Sequence, residues 1–281
     1  MNNNHNPATQ IKHTTCAYCG VGCGIKAEIN STERTVNVIG SDQHPANYGR
    51  LCSKGSALGH TINTDGRLLE PEVNGQQVDW ETALNTVANG FTDIIKEHGP
   101  DAVAFYVSGQ LLTEDYYVAN KLMKGYIGSG NIDTNSRLCM SSSVVGHKRA
   151  FGLDTVPGCY DDFQQAELIT LVGSNTAWCH PVLFQRIKQY KQDNPNVKIV
   201  VIDPRKTQTC DIADLHLPLN LGTDVWLFNG LLNALHEQNK INHEYLNDHC
   251  QGFEDSLQAA QTSSSNLTAL AETLGVSSQD L

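Results

Sequence analysis

Four cysteines near the N-terminus have the types and spacing of a metal site. Cys16, Cys19 and Cys23 form a C-x2-C-x3-C pattern, and 28 residues separate Cys23 from Cys52. Four thiolates suit either a 4Fe-4S cluster or a tetrahedral zinc ion. Zinc ribbons commonly pair two C-x2-C knuckles, whereas here three cysteines share one loop. The spacing therefore favours a 4Fe-4S cluster, with zinc and unrelated thiols as the alternatives.

The residues around these cysteines fit a cluster loop. Gly20, Gly22 and Gly24 allow the backbone to fold tightly around a bulky group. Lys54 follows in Cys-Ser-Lys-Gly. It is either a solvated surface lysine, the usual case, or a cation that lies between the anionic cluster and an anionic partner and aids electron transfer.

The other cysteines are scattered. Cys139 lies two residues after Arg137, which would favour its thiolate form, but a small buried hydrophobe is an equally ordinary role for a cysteine. His180 precedes a proline and either orients a ligand or is a hydrogen-bonded structural histidine. The remaining four are interpreted as core or surface residues: Cys159, Cys179, Cys210 and Cys250.

Beyond the cysteine-rich segment, strand and helix patterns alternate, which predicts an α/β fold with a parallel sheet. Strands are predicted at 24–29, 35–39, 102–107, 168–172 and 198–202. Helices are predicted from about 80 to 98, from 113, over 181–190 and over 225–237. Asp79 is the predicted N-cap of the first of these helices and Gly99-Pro100 its stop.

Polar, glycine-containing loops follow the predicted strands. Ligands of open α/β sheets gather beyond the carboxyl ends of the strands, and helix N-termini attract phosphate. Arg205 has the fork that pairs with a phosphate, and Asp224 either accepts from a purine amino group or caps its helix. Turn chemistry explains each loop alone, but together they predict a large phosphate-bearing ligand. The loops are Ser108-Gly109-Gln110, Gly173-Ser174-Asn175, Asp203-Pro204-Arg205 and Gly222-Thr223-Asp224.

Composition excludes several classes of protein. The net charge of −11 disfavours non-specific binding to nucleic acid or anionic lipid, and no apolar run approaches the roughly 20 residues of a membrane span. The N-terminal residues contain no basic segment, twin arginine or apolar segment of a secretory signal. We therefore expect the nine cysteines to be in a reducing compartment, where clustered cysteines more often bind metal than form disulfides. These observations predict a cytoplasmic protein with no nucleic-acid or membrane partner.

The predicted organisation has four parts. Residues 1–12 form a disordered tail, 13–60 a small 4Fe-4S domain, 61–135 an α/β segment and 136–281 a second α/β segment that binds cofactor and is incomplete. The chain ends on a helical pattern with no closing element, which indicates a fragment.

The chain resembles the N-terminal part of the molybdopterin oxidoreductases that carry a bis(guanine dinucleotide) cofactor, and within them the catalytic subunits of bacterial assimilatory nitrate reductases. The resemblance runs from about residue 13 to the end. Its stretches are CAYCGVGC, GRLCSKG, NSRLCMSS, PGCYDDF, GSNTAWCHP, DPRKT, CDIADLHLPL and GTD. Catalytic chains of the family are much longer, so the resemblance implies that a C-terminal domain is absent and that the isolated fragment is inactive.

The resemblance assigns roles to the residues above. Cys16, Cys19, Cys23 and Cys52 would bind the 4Fe-4S cluster, Lys54 would lie between cluster and pterin, and Cys139 would be the molybdenum ligand. Contacts to the dinucleotide arms would come from Gln110, Asn135, Gly173, Asn175, Asp203, Arg205, Gly222, Thr223 and Asp224.

The residue after the metal-binding cysteine separates the two nearest activities. Formate dehydrogenases of the family usually have histidine there, which suits a substrate that loses a proton. Nitrate reductases of this type have methionine, and here it is Met140. We therefore expect reduction of nitrate to nitrite, with ferredoxin, flavodoxin or an NADH-dependent reductase as electron donor. The alternatives are a formate dehydrogenase and a non-catalytic iron–sulfur electron-transfer protein.

Overall fold

Residues 9–264 and 266–281 are described by the computed structural model, in which the chain divides into two units at Pro157 and Gly158. None of the helices in these described ranges is long and apolar enough to cross a membrane. The predicted segment boundaries at 60 and 135 remain predictions.

The first unit begins with an antiparallel sheet of three strands in the order β1-β2-β3. These are β1 (Thr9–Thr15), β2 (Gly24–Asn30) and β3 (Thr35–Gly40). Ile25 and Ala27 of β2 are buried. The predicted strands at 24–29 and 35–39 are confirmed, each with one more residue.

The predicted disordered tail over 1–12 is wrong for residues 9–12, which belong to β1. Every residue of β1 is exposed, but each has a partner in β2, from Thr9 with Asn30 to Thr15 with Gly24. Backbone pairing, which does not depend on apolar side chains, orders this polar segment. The rest of the predicted tail, residues 1–8, lies outside the described residues.

Short elements connect this sheet to the α/β part of the unit. They are the helix α1 (Ser53–Ser56), a 3-10 helix (Leu58–Ile62) and a two-stranded hairpin of β4 (Glu72–Val73) and β5 (Gln76–Gln77). Helix α2 (Trp80–His98) follows. The side chain of Asp79 accepts a hydrogen bond from the backbone N–H of Thr82 at 2.7 Å, and Gly99 ends the helix with a φ of 85°. Both predicted helix ends are confirmed.

Strands β6 (Phe105–Val107) and β7 (Ile132–Thr134) pair in parallel. The predicted strand over 102–107 begins three residues late, because Pro100–Ala102 forms a 3-10 turn. Helix α3 (Thr113–Asn120) runs into a π-helix (Lys121–Ile127), and α4 (Ser136–Cys139) and α5 (Ser141–Phe151) follow β7.

The second unit contains a parallel sheet in the order β10-β9-β8. Strands β8 (Leu168–Val172) and β9 (Lys198–Ile202) begin and end where the sequence predicts, and β10 is Leu215–Leu217. These parallel ladders confirm the predicted α/β class. The helices are α6 (Thr176–Cys179), α7 (Pro181–Asp193), α8 (Asp224–Glu237), α9 (His243–His249), α10 (Phe253–Ser264) and α11 (Leu267–Leu274).

The core of this unit lies in two clusters, which take alternate residues of β9. The first cluster contains Ile199 and Val201 with Ile187 of α7, and the second contains Ile202 with Leu227 of α8. This two-sided burial explains why the central strand reads as an unbroken apolar run. Cys210 is buried in the first cluster, whereas Cys159, Cys179 and Cys250 are exposed.

Candidate cofactor-binding site

The four N-terminal cysteines are brought together at one end of the β2–β3 hairpin. Burial, with the neighbouring Cys16, Cys19 and Cys52, raises the pKa of the Cys23 thiol to about 11. The three other thiols therefore act on Cys23 at short range. Thiolates that oppose one another's ionisation are stabilised when each binds a cationic iron, as in an iron–sulfur cluster.

Zinc and a 4Fe-4S cluster require different separations of the four sulfurs that bind them. Tetrahedral zinc needs four sulfurs at about 2.3 Å from one ion, and hence roughly 3.8 Å from one another. In the described parts of the chain, no group of three or more His, Cys, Asp or Glu residues is placed to hold such a single ion. A 4Fe-4S cluster separates its thiolates further, because each binds a different iron. The choice of the cluster over zinc rests on the C-x2-C-x3-C spacing of the cysteines in the sequence.

Local hydrogen bonds set the positions of these cysteines. The backbone N–H of Cys16 donates to the carbonyl of Cys23 at 2.8 Å and so closes the loop. Cys52 is the N-cap of α1, and its Sγ accepts from the backbone N–H of Gly55 at 3.5 Å. Hydrogen bonds to cysteine sulfur are among the factors that tune a bound cluster.

The glycines in and next to the loop differ in how strongly the structure requires them. Gly22 has a φ of 64°, in the left-handed region that glycine adopts without strain. At Gly24 a Cβ would lie 2.3 Å from the His44 ring, so only glycine fits there. At Gly20 a Cβ would lie 3.2 Å from the carbonyl oxygen of Leu111, a tight but smaller conflict.

Asn47 is a site residue that sequence reasoning missed. It is fully buried. Its Oδ1 accepts from the backbone N–H of Gly24 at 2.9 Å, and its Nδ2 donates to the carbonyls of Gly24 at 3.0 Å and Arg50 at 2.8 Å. It thereby joins the segment after Cys23 to the segment before Cys52. No local pattern marks it, because its first partner is 23 residues away.

Lys54 lies on α1 and is exposed. Its Nζ lies 5.9 Å from the centre of the Tyr18 ring, and Tyr18 belongs to the cysteine loop. The ammonium group is therefore held beside the cluster loop by a cation–π contact. The electron-transfer interpretation of Lys54 stays a prediction.

A hydrogen bond joins the two strand-end loops of the first unit. The side-chain Oδ1 of Asn135, after β7, accepts from the backbone N–H of Gly109, after β6, at 2.8 Å. Gln110 follows in the same loop. Asn135 begins the short helix α4, which ends at Cys139. Cys139 and Met140 are exposed, so both side chains are accessible to a bound group.

Arg137 forms an ion pair with the carboxylate of Asp133. Its Nε donates to Asp133 Oδ2 at 2.8 Å, and this bond raises the pKa of the Arg137 guanidinium and lowers that of the Asp133 carboxyl. The effect of Arg137 on the Cys139 thiol stays a prediction. The role of Cys139 depends on its exposed position at the end of α4.

The loops of the second unit leave open backbone at the carboxyl ends of the parallel strands. Gly173 has a φ of 55° and Gly222 a φ of 80°, and a Cβ on either would have no neighbour within 4 Å. Asn175 also has a positive φ, of 40°, and it precedes α6. Such open, left-handed positions allow close approach of a phosphate-bearing ligand.

A buried threonine that sequence reasoning missed joins two of these loops. Thr209 is 1% exposed, and its Oγ1 accepts from the backbone N–H of Ala177 at 3.1 Å. The same hydroxyl lies 3.5 Å from Asn175 Oδ1. The loop after β8 is thus fixed to the segment after β9.

The remaining predicted dinucleotide contacts lie on two turns. Asp203 is buried and its Oδ1 accepts from the backbone N–H of Arg205 at 2.8 Å, which leaves the Arg205 side chain exposed. Asp224 is the first residue of α8, and the cap position is Thr223, whose hydroxyl donates to the Asn220 carbonyl at 2.7 Å. The capping interpretation of Asp224 is therefore wrong.

Two family models match the chain. Residues 9–64 match the molybdopterin oxidoreductase Fe4S4 domain, and residues 67–279 match molybdopterin oxidoreductase. These matches indicate a 4Fe-4S cluster and a molybdopterin cofactor. The cysteine set fits the first group and the open strand-end loops fit the second.

Several relatives are nitrate reductases. A nitrate reductase of Klebsiella oxytoca is 59% identical over 83% of this chain and 27% of its own length. One of Shewanella frigidimarina is 50% identical over 95% of this chain and 29% of its own. A periplasmic nitrate reductase of Desulfovibrio desulfuricans is 44% identical over 75% of this chain and 28% of its own. The chain thus spans less than a third of the length of these relatives.

The fold is shared with a solved structure. Acetylene hydratase from Pelobacter acetylenicus superimposes with a TM-score of 0.78 at 23% identity, over 96% of this chain and 37% of that one. At this identity the likeness concerns the fold alone.

Proposed function

Because the chain belongs to the molybdopterin oxidoreductase family, we propose that it is the N-terminal part of the catalytic subunit of a molybdenum nitrate reductase. The observation that carries the proposal is the 59% and 50% identity to nitrate reductases over most of this chain. The activity belongs to the full-length protein. We further propose a cytoplasmic, assimilatory role. This part of the proposal rests on the sequence resemblance alone, since the relatives include a periplasmic nitrate reductase as well.

Residues of this chain would hold both the 4Fe-4S cluster and the molybdenum cofactor. Cys16, Cys19, Cys23 and Cys52 would bind the cluster, and Cys139 would supply a sulfur ligand to molybdenum. When bound, the two groups supply electron transfer and oxygen-atom transfer, by which nitrate, two electrons and two protons give nitrite and water.

Lys54 and Met140 would shape the surroundings of the two cofactors. The ammonium of Lys54, beside Tyr18, places positive charge next to the anionic cluster. Met140 presents an apolar, non-titrating side chain next to Cys139. A methionine neither donates nor accepts a proton there, which suits a reaction at a substrate oxygen better than removal of a proton from formate.

The strand-end loops would hold the dinucleotide arms. The side chains proposed to contact them are Gln110, Asn135, Asn175, Asp203, Arg205, Thr223 and Asp224, and the open backbone would come from Gly173 and Gly222. The partners of the full-length protein would be nitrate and a low-potential donor, namely ferredoxin, flavodoxin or an NADH-dependent reductase.

The cluster assignment is tested by anaerobic reconstitution of the 281-residue chain. We expect about four iron and four sulfide per chain, with loss of both from the Cys52→Ser variant relative to a Cys250→Ser control. Stoichiometric zinc without visible absorbance would overturn the assignment.

The metal-ligand and substrate assignments are tested on the full-length enzyme. Cys139→Ala should abolish nitrate reduction while the iron content stays unchanged, because the cluster ligands are other residues. Loss of a structural thiol would instead cost only about 1–3 kcal/mol of stability, which thermal melting of the same sample would show. Normal kcat in Cys139→Ala would refute the ligand role.

Met140→His should impair nitrate turnover, because a basic ring would replace the apolar side chain next to the proposed ligand. The control is Met123→Leu, an apolar replacement at a buried methionine. An unmodified full-length enzyme that oxidises formate and ignores nitrate would replace the proposal by a formate dehydrogenase.

A further inference from the structure

His216 has no role in the function proposed above, although it lies in the CDIADLHLPL stretch. It occupies the middle of β10 and is half-buried. Its Nε2 lies 2.8 Å from the backbone carbonyl oxygen of Asp203. Because a carbonyl oxygen only accepts, Nε2 carries the proton and donates this hydrogen bond.

The bond extends the attachment of the chain beyond the end of the β9–β10 ladder. The last paired residues are Ile202 and Leu217. One residue further, the backbone N–H of Asp203 donates to the carbonyl of Leu217 at 3.2 Å. His216 then binds the carbonyl of the same residue, so Asp203 is held at both its backbone N–H and its carbonyl.

The residue after Asp203 makes this second contact necessary. Pro204 has no backbone N–H, so the Asp203–Pro204 peptide can be anchored only through its carbonyl. The orientation of that peptide sets the turn in which Asp203 Oδ1 accepts from the backbone N–H of Arg205 at 2.8 Å. By holding the Asp203 carbonyl, His216 therefore helps to set the orientation of the Arg205 side chain.

We propose that His216 is a positioning residue that fixes the Asp203–Arg205 turn for a phosphate of the guanine dinucleotide arm. The inference rests on the proposed function, in which that turn contacts the dinucleotide. His216 itself acts through the Asp203 carbonyl.

The test compares three variants of the full-length enzyme. His216→Leu removes the donor, His216→Gln keeps an N–H at the position of Nε2, and His243→Leu is a control at an exposed histidine of α9. The readouts are GMP released by acid hydrolysis, molybdenum and iron content, and hydrogen exchange of residues 203–209.

We expect His216→Leu to retain about fivefold less GMP and molybdenum, the factor that one neutral hydrogen bond carries. Exchange at 205–207 should rise, and the iron content should stay unchanged. His216→Gln should restore most of the GMP. Equal loss in the Gln and Leu variants would overturn the inference, because the donor would then be irrelevant.

Arg205→Ala separates this inference from the proposed function. If Arg205→Ala loses GMP and His216→Leu does not, the positioning role of His216 is wrong and the dinucleotide assignment is retained. If Arg205→Ala keeps its full GMP content, the turn does not bind the dinucleotide. The dinucleotide assignment of the turn and the positioning role of His216 are then both wrong.

Discussion

Asn47 offers a sharp test of how the cluster loop is held. Replacement by alanine removes the three hydrogen bonds that join Gly24 to Arg50. Because Asn47 is fully buried, water cannot replace these bonds without entering the structure. At about 1 kcal/mol for each net hydrogen bond, Asn47→Ala should cost roughly 3 kcal/mol of unfolding free energy.

The same change should weaken retention of the cluster. Gly24 directly follows Cys23, and Arg50 is two residues before Cys52, so a looser connection separates the two groups of ligands. The assay is anaerobic reconstitution, followed by the rate of iron loss to a chelator and by urea unfolding of the same samples. Asn47→Asp keeps the acceptor but places a buried carboxylate oxygen against the carbonyls of Gly24 and Arg50, so its effect should be at least as large as that of Asn47→Ala in both measurements.

Asn37→Ala is the matched control. Asn37 lies on β3 and donates from Nδ2 to Glu28 Oε2 at 3.1 Å, but this bond is exposed, so the substitution should change stability by less than about 0.5 kcal/mol. If Asn47→Ala loses iron no faster than Asn37→Ala and unfolds at the same urea concentration, the proposed bridge does not hold the loop.

Two further predictions concern stability. The hydrogen bond from Lys191 Nζ, at 3.0 and 2.9 Å to the two carboxylate oxygens, holds the pKa of Asp214 below its usual range. Its contribution is present at neutral pH and lost as pH falls through that lowered pKa, so Asp214→Asn should destabilise at about pH 7 and have little effect near pH 2 in urea unfolding. Gly59→Ala should destabilise, because its Cβ would lie 2.2 Å from the Val36 carbonyl oxygen. Gly90→Ala, inside α2 with open space around it, should raise the unfolding free energy by about 0.5–1 kcal/mol; melting temperatures that move in the same direction for both variants would contradict the steric argument.

The sequence predicts strands β8 and β9 better than strand β1, for a physical reason. Strands β8 and β9 are short apolar runs bounded by polar loops, and burial on both faces of a parallel sheet produces that pattern directly. Strand β1 is exposed along its whole length. Its order comes from pairing with β2, which no property of residues 9–12 reveals.

Side chains that support the site escape prediction in a similar way. The cysteines are recognisable because their type and spacing carry the chemistry. Asn47, Thr209 and His216 instead bind backbone groups that are 23, 32 and 13 residues away. Asparagine, threonine and histidine are common in ordinary turns and strands, so only the fold reveals such partners.

These supporting contacts change how the predicted cofactor residues are understood. Asn135 is proposed to contact the dinucleotide, and its Oδ1 already accepts from the Gly109 backbone. A Cβ at Gly109 would lie 2.7 Å from that oxygen. In the second unit, Asp203 is likewise engaged by Arg205 and His216. The polar groups at the strand ends are thus bonded to one another before any ligand binds. A ligand would then meet loops that are already ordered, so that less conformational entropy is lost on binding than with free loops.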